Sequence, residues 1–183
     1  FGAVLKEGIH EDFTNRDKLL EVSRFKSSES ETLISLEDYT SRMKEGQDKI
    51  YYISGEDEKK LSQSPHLEGF KAKGIEVIYM TDPVDEFWLP SVGKYSDKDF
   101  QSITKGGADL DKIKSDKKTP EKKKGNKNID KLLASIKVVL GDEVKEVKVS
   151  ERLTDSAVCL VAGDGEMDMH LEKLLKQHQQ LDT

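Results

Sequence analysis

Residues 50–89 read IYYISGEDEKKLSQSPHLEGFKAKGIEVIYMTDPVDEFWL, and their order is strand, helix, strand, acidic turn. Ile50, Tyr51, Tyr52 and Ile53 are β-branched or aromatic, the residue types that suit a pleated, half-buried surface. Pro65 behind Ser64 fits the first turn of a helix, and Gly74 fits the position just past its end. Ile75, Val77, Ile78 and Tyr79 then form an apolar run that stops at Thr81-Asp82-Pro83, where proline has no N–H to give a ladder. Together these pieces make a βαβ unit. Parallel strands joined by a helical crossover need cover on both faces, so the stretch predicts one layer of a larger α/β domain.

Upstream, Thr14 with Asp17 and Ser35 with Asp38 carry capping-box spacing, and Gly46 reads as the stop of the second helix. Leu19, Leu20 and Phe25 supply the inner face of the first of these helices; Leu36, Tyr39 and Met43 supply that of the second. Downstream, Ile129, Leu132, Leu133, Ile136 and Leu140 keep helical spacing up to Gly141. Val144, Val147 and Val149, then 157–161, read as two strands around the turn Thr154-Asp155-Ser156. A last helix over about 168–180 carries Leu171, Leu174 and Leu175 on one face. Leaving that face wet would forgo several kcal/mol, since burying one leucine is worth about 1.5–3 kcal/mol. The expectation is a covering partner outside the chain.

Between Lys112 and Lys127 stand eight lysines against two acids, with Pro120, Gly125 and almost no large apolar side chain. Its net charge of +6, within a total of -6, leaves -12 on the rest. Such a run reads as a solvated linker over 111–128, and its lack of interleaved aromatics argues against nucleic acid. The sequence therefore divides into 1–49, 50–110, the linker, and 129–183.

Hydrophobic residues make up 34% of the 183 positions and charged residues 36%, which describes a lean core and a heavily charged surface. No apolar run approaches the ~20 residues of a membrane span, and neither a membrane nor a nucleic-acid partner is expected. Cys159 is the only cysteine, so no internal disulfide can form, and its apolar neighbours predict a buried thiol in a reducing, cytoplasmic setting.

Chemistry-bearing motifs are few. No Gly-rich phosphate loop occurs, and His10, His66, His170 and His178 are too scattered for a zinc set. No catalytic, cofactor or metal residue is therefore assigned. Asp82, Asp85 and Glu86 follow the carboxyl end of a parallel strand, where open α/β sheets often take ligands. An anionic ligand there is disfavoured by the three acids themselves, and a plain Asp-Pro turn is the simpler reading. Phe87, Trp88 and Leu89, before Pro90, read as a loop carrying the only tryptophan: either its anchor to the core or an exposed apolar contact surface.

Ser54-Gly55-Glu56, Ser64-Pro65, Leu67-Glu68, Lys73-Gly74 and Thr81 to Glu86 fall in an order that resembles the middle region of the ninety-kilodalton heat-shock chaperones, in their bacterial form. Leu5 to Asp12, Asn15-Arg16 and Arg24-Phe25 extend the resemblance upstream. Leu140-Gly141-Asp142 and Arg152 to Ser156 extend it downstream. Ala157, where many relatives have proline, and the strongly basic linker depart from the pattern.

The resemblance implies a mixed α/β fold: a helical connector, a small αβα sandwich subdomain, and a partial mixed α/β C-terminal domain. It also implies a piece of an ATP-dependent, homodimeric chaperone of the stress response. ATP and Mg would bind in a domain preceding Phe1, leaving no cofactor here. Phe87, Trp88, Leu89, Leu171, Leu174 and Leu175 are then the candidate contacts for client proteins or a partner subunit. If 111–128 is a solvated tether, brief trypsin treatment should cut there and leave two stable pieces; uniform resistance through the lysines would mean that the segment is packed.

Overall fold

The structure, a computed structural model, describes residues 2–106, 110, 113, 127–150, 152–163 and 165–181. Its centre is a strand, β2 (Lys49–Ser54), with a parallel neighbour on each side, β3 (Ile78–Met80) and β5 (Lys98–Ser102). Two short antiparallel edges complete the sheet: β1 (Lys26–Ser27) beside β3, and β4 (Lys94–Tyr95) beside β5. The order is β1-β3-β2-β5-β4. Ser96 and Asp97 join β4 to β5 with φ of 46° and 62°, the left-handed pair that a two-residue hairpin turn requires.

Helices cover both faces. Above one lie α4 (Glu58–Ser62), a 3-10 turn at Pro65–Leu67 and α5 (Glu68–Lys73), the crossover of the expected βαβ unit. On that side Tyr51, Ile53, Val77 and Tyr79 pack with Leu61, Leu67, Phe70 and Ile75. The alternate residues Ile50, Ile78 and Met80 face the other way, into Ile9, Leu20, Phe25, Leu36, Tyr39 and Trp88. Those come from α1 (Gly2–Glu11), α2 (Arg16–Val22), α3 (Leu36–Ser41), α6 (Asp85–Val92) and the chain before β1. Period-two alternation along a strand is what sends neighbours to opposite cores. Residues 2–49 thus share a core with the βαβ unit, which sequence alone had placed in a separate segment.

Local signals held in part. Ser35 and Asp38 form the expected capping box, and Gly74 closes α5 at φ +65°. Thr14 and Asp17 do not form one. Asp12 instead accepts the N–H groups of Thr14 and Asn15 and the Asn15 side-chain amide, a competing turn that leaves α2 without a side-chain cap. Helix α3 ends at Ser41, well before Gly46, which turns the chain at φ +86°. Residues 87–90, expected as a loop, lie in α6. Asp85 and Glu86 favour the positive end of that helix, and Pro90 falls near its far end, where little remains to break.

Most of the expected linker lies outside the described residues. Ile113 is an exception: it is buried with Leu110 in the α5-side core. Positions 127 and 128 already belong to α7 (Lys127–Leu140), whose C-terminal carbonyls are followed by a 3-10 turn at Gly141–Glu143. The two strands expected over 144–149 and 157–161 do not form. Their alternation is present, but a strand needs a ladder, and among the described residues of this region the only pairing is Ala162 with Lys105. Cys159, expected to be buried, is half-buried. Helix α8 (Met169–Leu181) ends the described chain.

A buried charge holds α1 to α6. Lys6 is 4% exposed, and its ammonium sits 2.8 Å from Asp82 and 3.1 Å from Asp85, over the Phe25 ring. The fully buried Asp85 also accepts the Trp88 indole N–H at 2.8 Å. Burial pushes its carboxyl above the usual range, while Lys6 and Trp88 pull it back. Removing one partner of a buried pair strands the other charge. Lys6→Met should therefore cost about 3 kcal/mol in urea unfolding followed by Trp88 fluorescence, and adding Asp85→Asn should recover part of that loss.

Candidate functional site

The three consecutive candidates in α6 have different fates. Trp88 is fully buried, with its ring against Phe25 and Phe100, and Leu89 is 4% exposed. Both are core, so as surface contacts they are corrected. Phe87 is 54% exposed. The helix explains the split: each step along it turns the side chain by about 100°, so three consecutive residues span about 200° and cannot all face the core.

Phe87 does not stand alone. His10 of α1 meets its ring edge-on at 6.5 Å between centroids. Phe13, 72% exposed, lies in the turn after α1 with the Arg16 guanidinium over its ring at 4.4 Å. Arg16 in turn donates to the carbonyls of Ile9 and Ser91, which ties α2 to both helices. The result is an exposed aromatic strip along the α1–α6 edge, with exposed Glu7 and Glu11 on the same helix as His10. Sequence reading missed Phe13, because it belongs to no periodic pattern.

The acids at the strand ends are engaged internally. Asp82 and Asp85 hold Lys6, while Glu86, 6% exposed, lies 2.8 Å from Nδ1 of His170 at the start of α8. Burial raises the Glu86 carboxyl, and the His170 contact lowers it again. Asp168 is 5% exposed and accepts the hydroxyl hydrogens of Ser102 and Thr104, with the latter at 2.9 Å. Where an open sheet would take a ligand at the ends of β2 and β5, this chain places its own later carboxylate. Beside it lies an open cleft of about 540 Å³ lined by Ser54, Ser64, His66, Thr104 and His170.

On α8, Leu171 and Leu174 are half-buried and Leu175 is 40% exposed. The apolar stripe of α7 is still more open, with Leu132 57% exposed and its other members half-buried. Among the described residues no group of three or more His, Cys, Asp or Glu is placed to hold a metal ion. No helix among them is long and apolar enough to cross a membrane.

The sequence model of the Hsp90 protein family matches residues 1–183. Chaperone protein HtpG of Paramagnetospirillum magneticum is 52% identical over 98% of this chain, which corresponds to 29% of that relative. HtpG of Roseobacter denitrificans is likewise 52% identical over 99% of the chain and 30% of its own length. That of Streptomyces coelicolor is 46% identical over 96% of the chain. Among solved structures, the middle domain of a Plasmodium falciparum heat shock protein superposes with a TM-score of 0.53 and 37% identity, over 57% of this chain and 44% of that one. The chain thus spans a little under a third of the length of these bacterial relatives. A family match from the first residue to the last, joined to relatives 52% identical over nearly the whole chain, means that the chain belongs to the Hsp90 family.

Proposed function

We propose that this chain supplies structural and client-contacting surfaces to an ATP-dependent chaperone of the stress response, cytoplasmic and homodimeric as a whole protein. The observation that carries the reading is the exposed aromatic strip of Phe87, His10 and Phe13 beside Glu7 and Glu11. Unfolded chains offer apolar side chains together with basic groups, and aromatics next to carboxylates suit both. Leu171, Leu174 and Leu175 are a second candidate contact, for client or partner subunit.

ATP and Mg do not fit the described residues. A nucleotide needs a cradle of backbone N–H groups, whereas the ends of the parallel strands carry Asp82, Asp85, Glu86 and Asp168, each already bonded within the chain. The ATP site is accordingly assigned to parts of the protein outside this chain.

Changing both Phe13 and Phe87 to serine should weaken capture of an unfolded reporter about tenfold in fluorescence anisotropy, because exposed aromatics dominate such contacts. Trp88 emission should stay blue-shifted in that variant, and undiminished capture would refute the strip as a client site. Calorimetry with ATP should register no binding to the chain alone. Stoichiometric binding that a substitution within this chain abolishes would overturn the assignment of the nucleotide elsewhere.

A further inference from the structure

The segment 152–163, before α8, is joined to the α/β layer by polar contacts of Arg152, the 154–156 turn and Ala162. Its Val158 and Leu160 are 73% and 64% exposed, and none of its residues belongs to either buried apolar cluster. At one end the Glu68 carboxylate, in the first turn of α5, accepts the N–H of Thr154 at 2.6 Å, of Asp155 at 2.9 Å and of Ser156 at 3.1 Å. The Ser156 hydroxyl donates to it as well. Three successive N–H groups converging on one anion make a backbone nest.

Gly69, the next residue, supplies the room. A Cβ there would lie 2.8 Å from the Arg152 carbonyl oxygen and 3.0 Å from its Cα, with no flexible side chain to give way. The Arg152 guanidinium reaches on to the carbonyls of Ile103 and Lys105 at 3.3 and 3.0 Å. A charge and a gap side by side thus match a particular turn of backbone.

We propose that Glu68 and Gly69 form a receptor for the 152–156 turn, an intramolecular clamp that acts with the Asp168 and His170 contacts to set where α8 stands and that opens without unfolding the layer beneath. The clamp concerns contacts within the chain and does not depend on the client reading. The Ser156 hydroxyl and the turn's amides hold the Glu68 carboxyl down to about 2, from an ordinary 4.5. Such a depressed acid contributes fully above its unfolded value and is lost as pH falls through its folded one, so the clamp stays closed at neutral pH.

Amide hydrogen exchange on the whole chain tests this, together with the distance between spin labels at Ala72→Cys and Lys173→Cys in a Cys159→Ser background. In Glu68→Ala the amides of Thr154, Asp155 and Ser156 should exchange about tenfold faster or more, and the label distances should broaden. Amides of β2 should keep their protection. Glu68→Gln, which retains a carbonyl acceptor, should fall between that variant and the wild type. Gly69→Ala should loosen the same amides even though alanine favours the helix it enters. Unchanged exchange at 154–156 in Glu68→Ala would overturn the clamp. So would faster exchange with an unaltered label distance, since the turn would then not position α8, and so would lost protection in β2, since the segment would then be part of the fold.

Discussion

Strand β2 has a parallel neighbour on each side, and this arrangement dictates what surrounds it. Parallel strands cannot be joined by tight turns, so each connection must cross over a face of the sheet, and a sheet bridged in this way has no face left for water. The crossover through α4 and α5 covers one side. Nothing local to the βαβ unit covers the other. That demand draws in α1, α2 and α3 from earlier in the chain, and it turns the acidic stretch after β3 into a helix that buries Trp88 and Leu89.

With only 34% hydrophobic residues, the chain uses charged groups inside the layers as well as on the surface. Lys6 between Asp82 and Asp85, Arg42 on the buried Glu76, and His170 on Glu86 each join elements distant in sequence. Buried charges cost free energy unless paired, so such contacts add little net stability compared with an apolar core. They do penalise any arrangement that separates the partners. Tyr39 acts in the same way: its buried hydroxyl donates to the Glu76 carbonyl and accepts from the Tyr51 amide, tying α3 to β2.

The face of α6 opposite this core carries Phe87 to the surface, where α1 and the turn after it add His10 and Phe13. A single helix therefore serves as core and as candidate contact surface. Past the lysine-rich stretch the balance changes. The segment before α8 is pinned by Glu68, Arg152 and Asp168, while the apolar residues of α7 and of residues 157–161 remain largely open. Polar pinning without apolar burial is the condition under which a segment can leave its site while the core stays intact.

The βαβ unit was legible in the sequence because its signals are local: β-branched runs, Pro65 and Gly74 at the helix ends, and proline after β3. The Ser35–Asp38 cap and the extent of α7 were legible for the same reason, since each depends on residues within one or two turns. Tertiary structure alone decided which of Phe87, Trp88 and Leu89 is buried, because that depends on the direction from which α1 and Phe100 approach α6. It also decided the fate of the apolar alternation at 144–149 and 157–161, which forms no strand for want of a ladder partner. Glu68 and Gly69 looked like ordinary helix residues in the sequence. Their role exists only where Arg152 and the turn after it come to rest on them, more than eighty residues away along the chain.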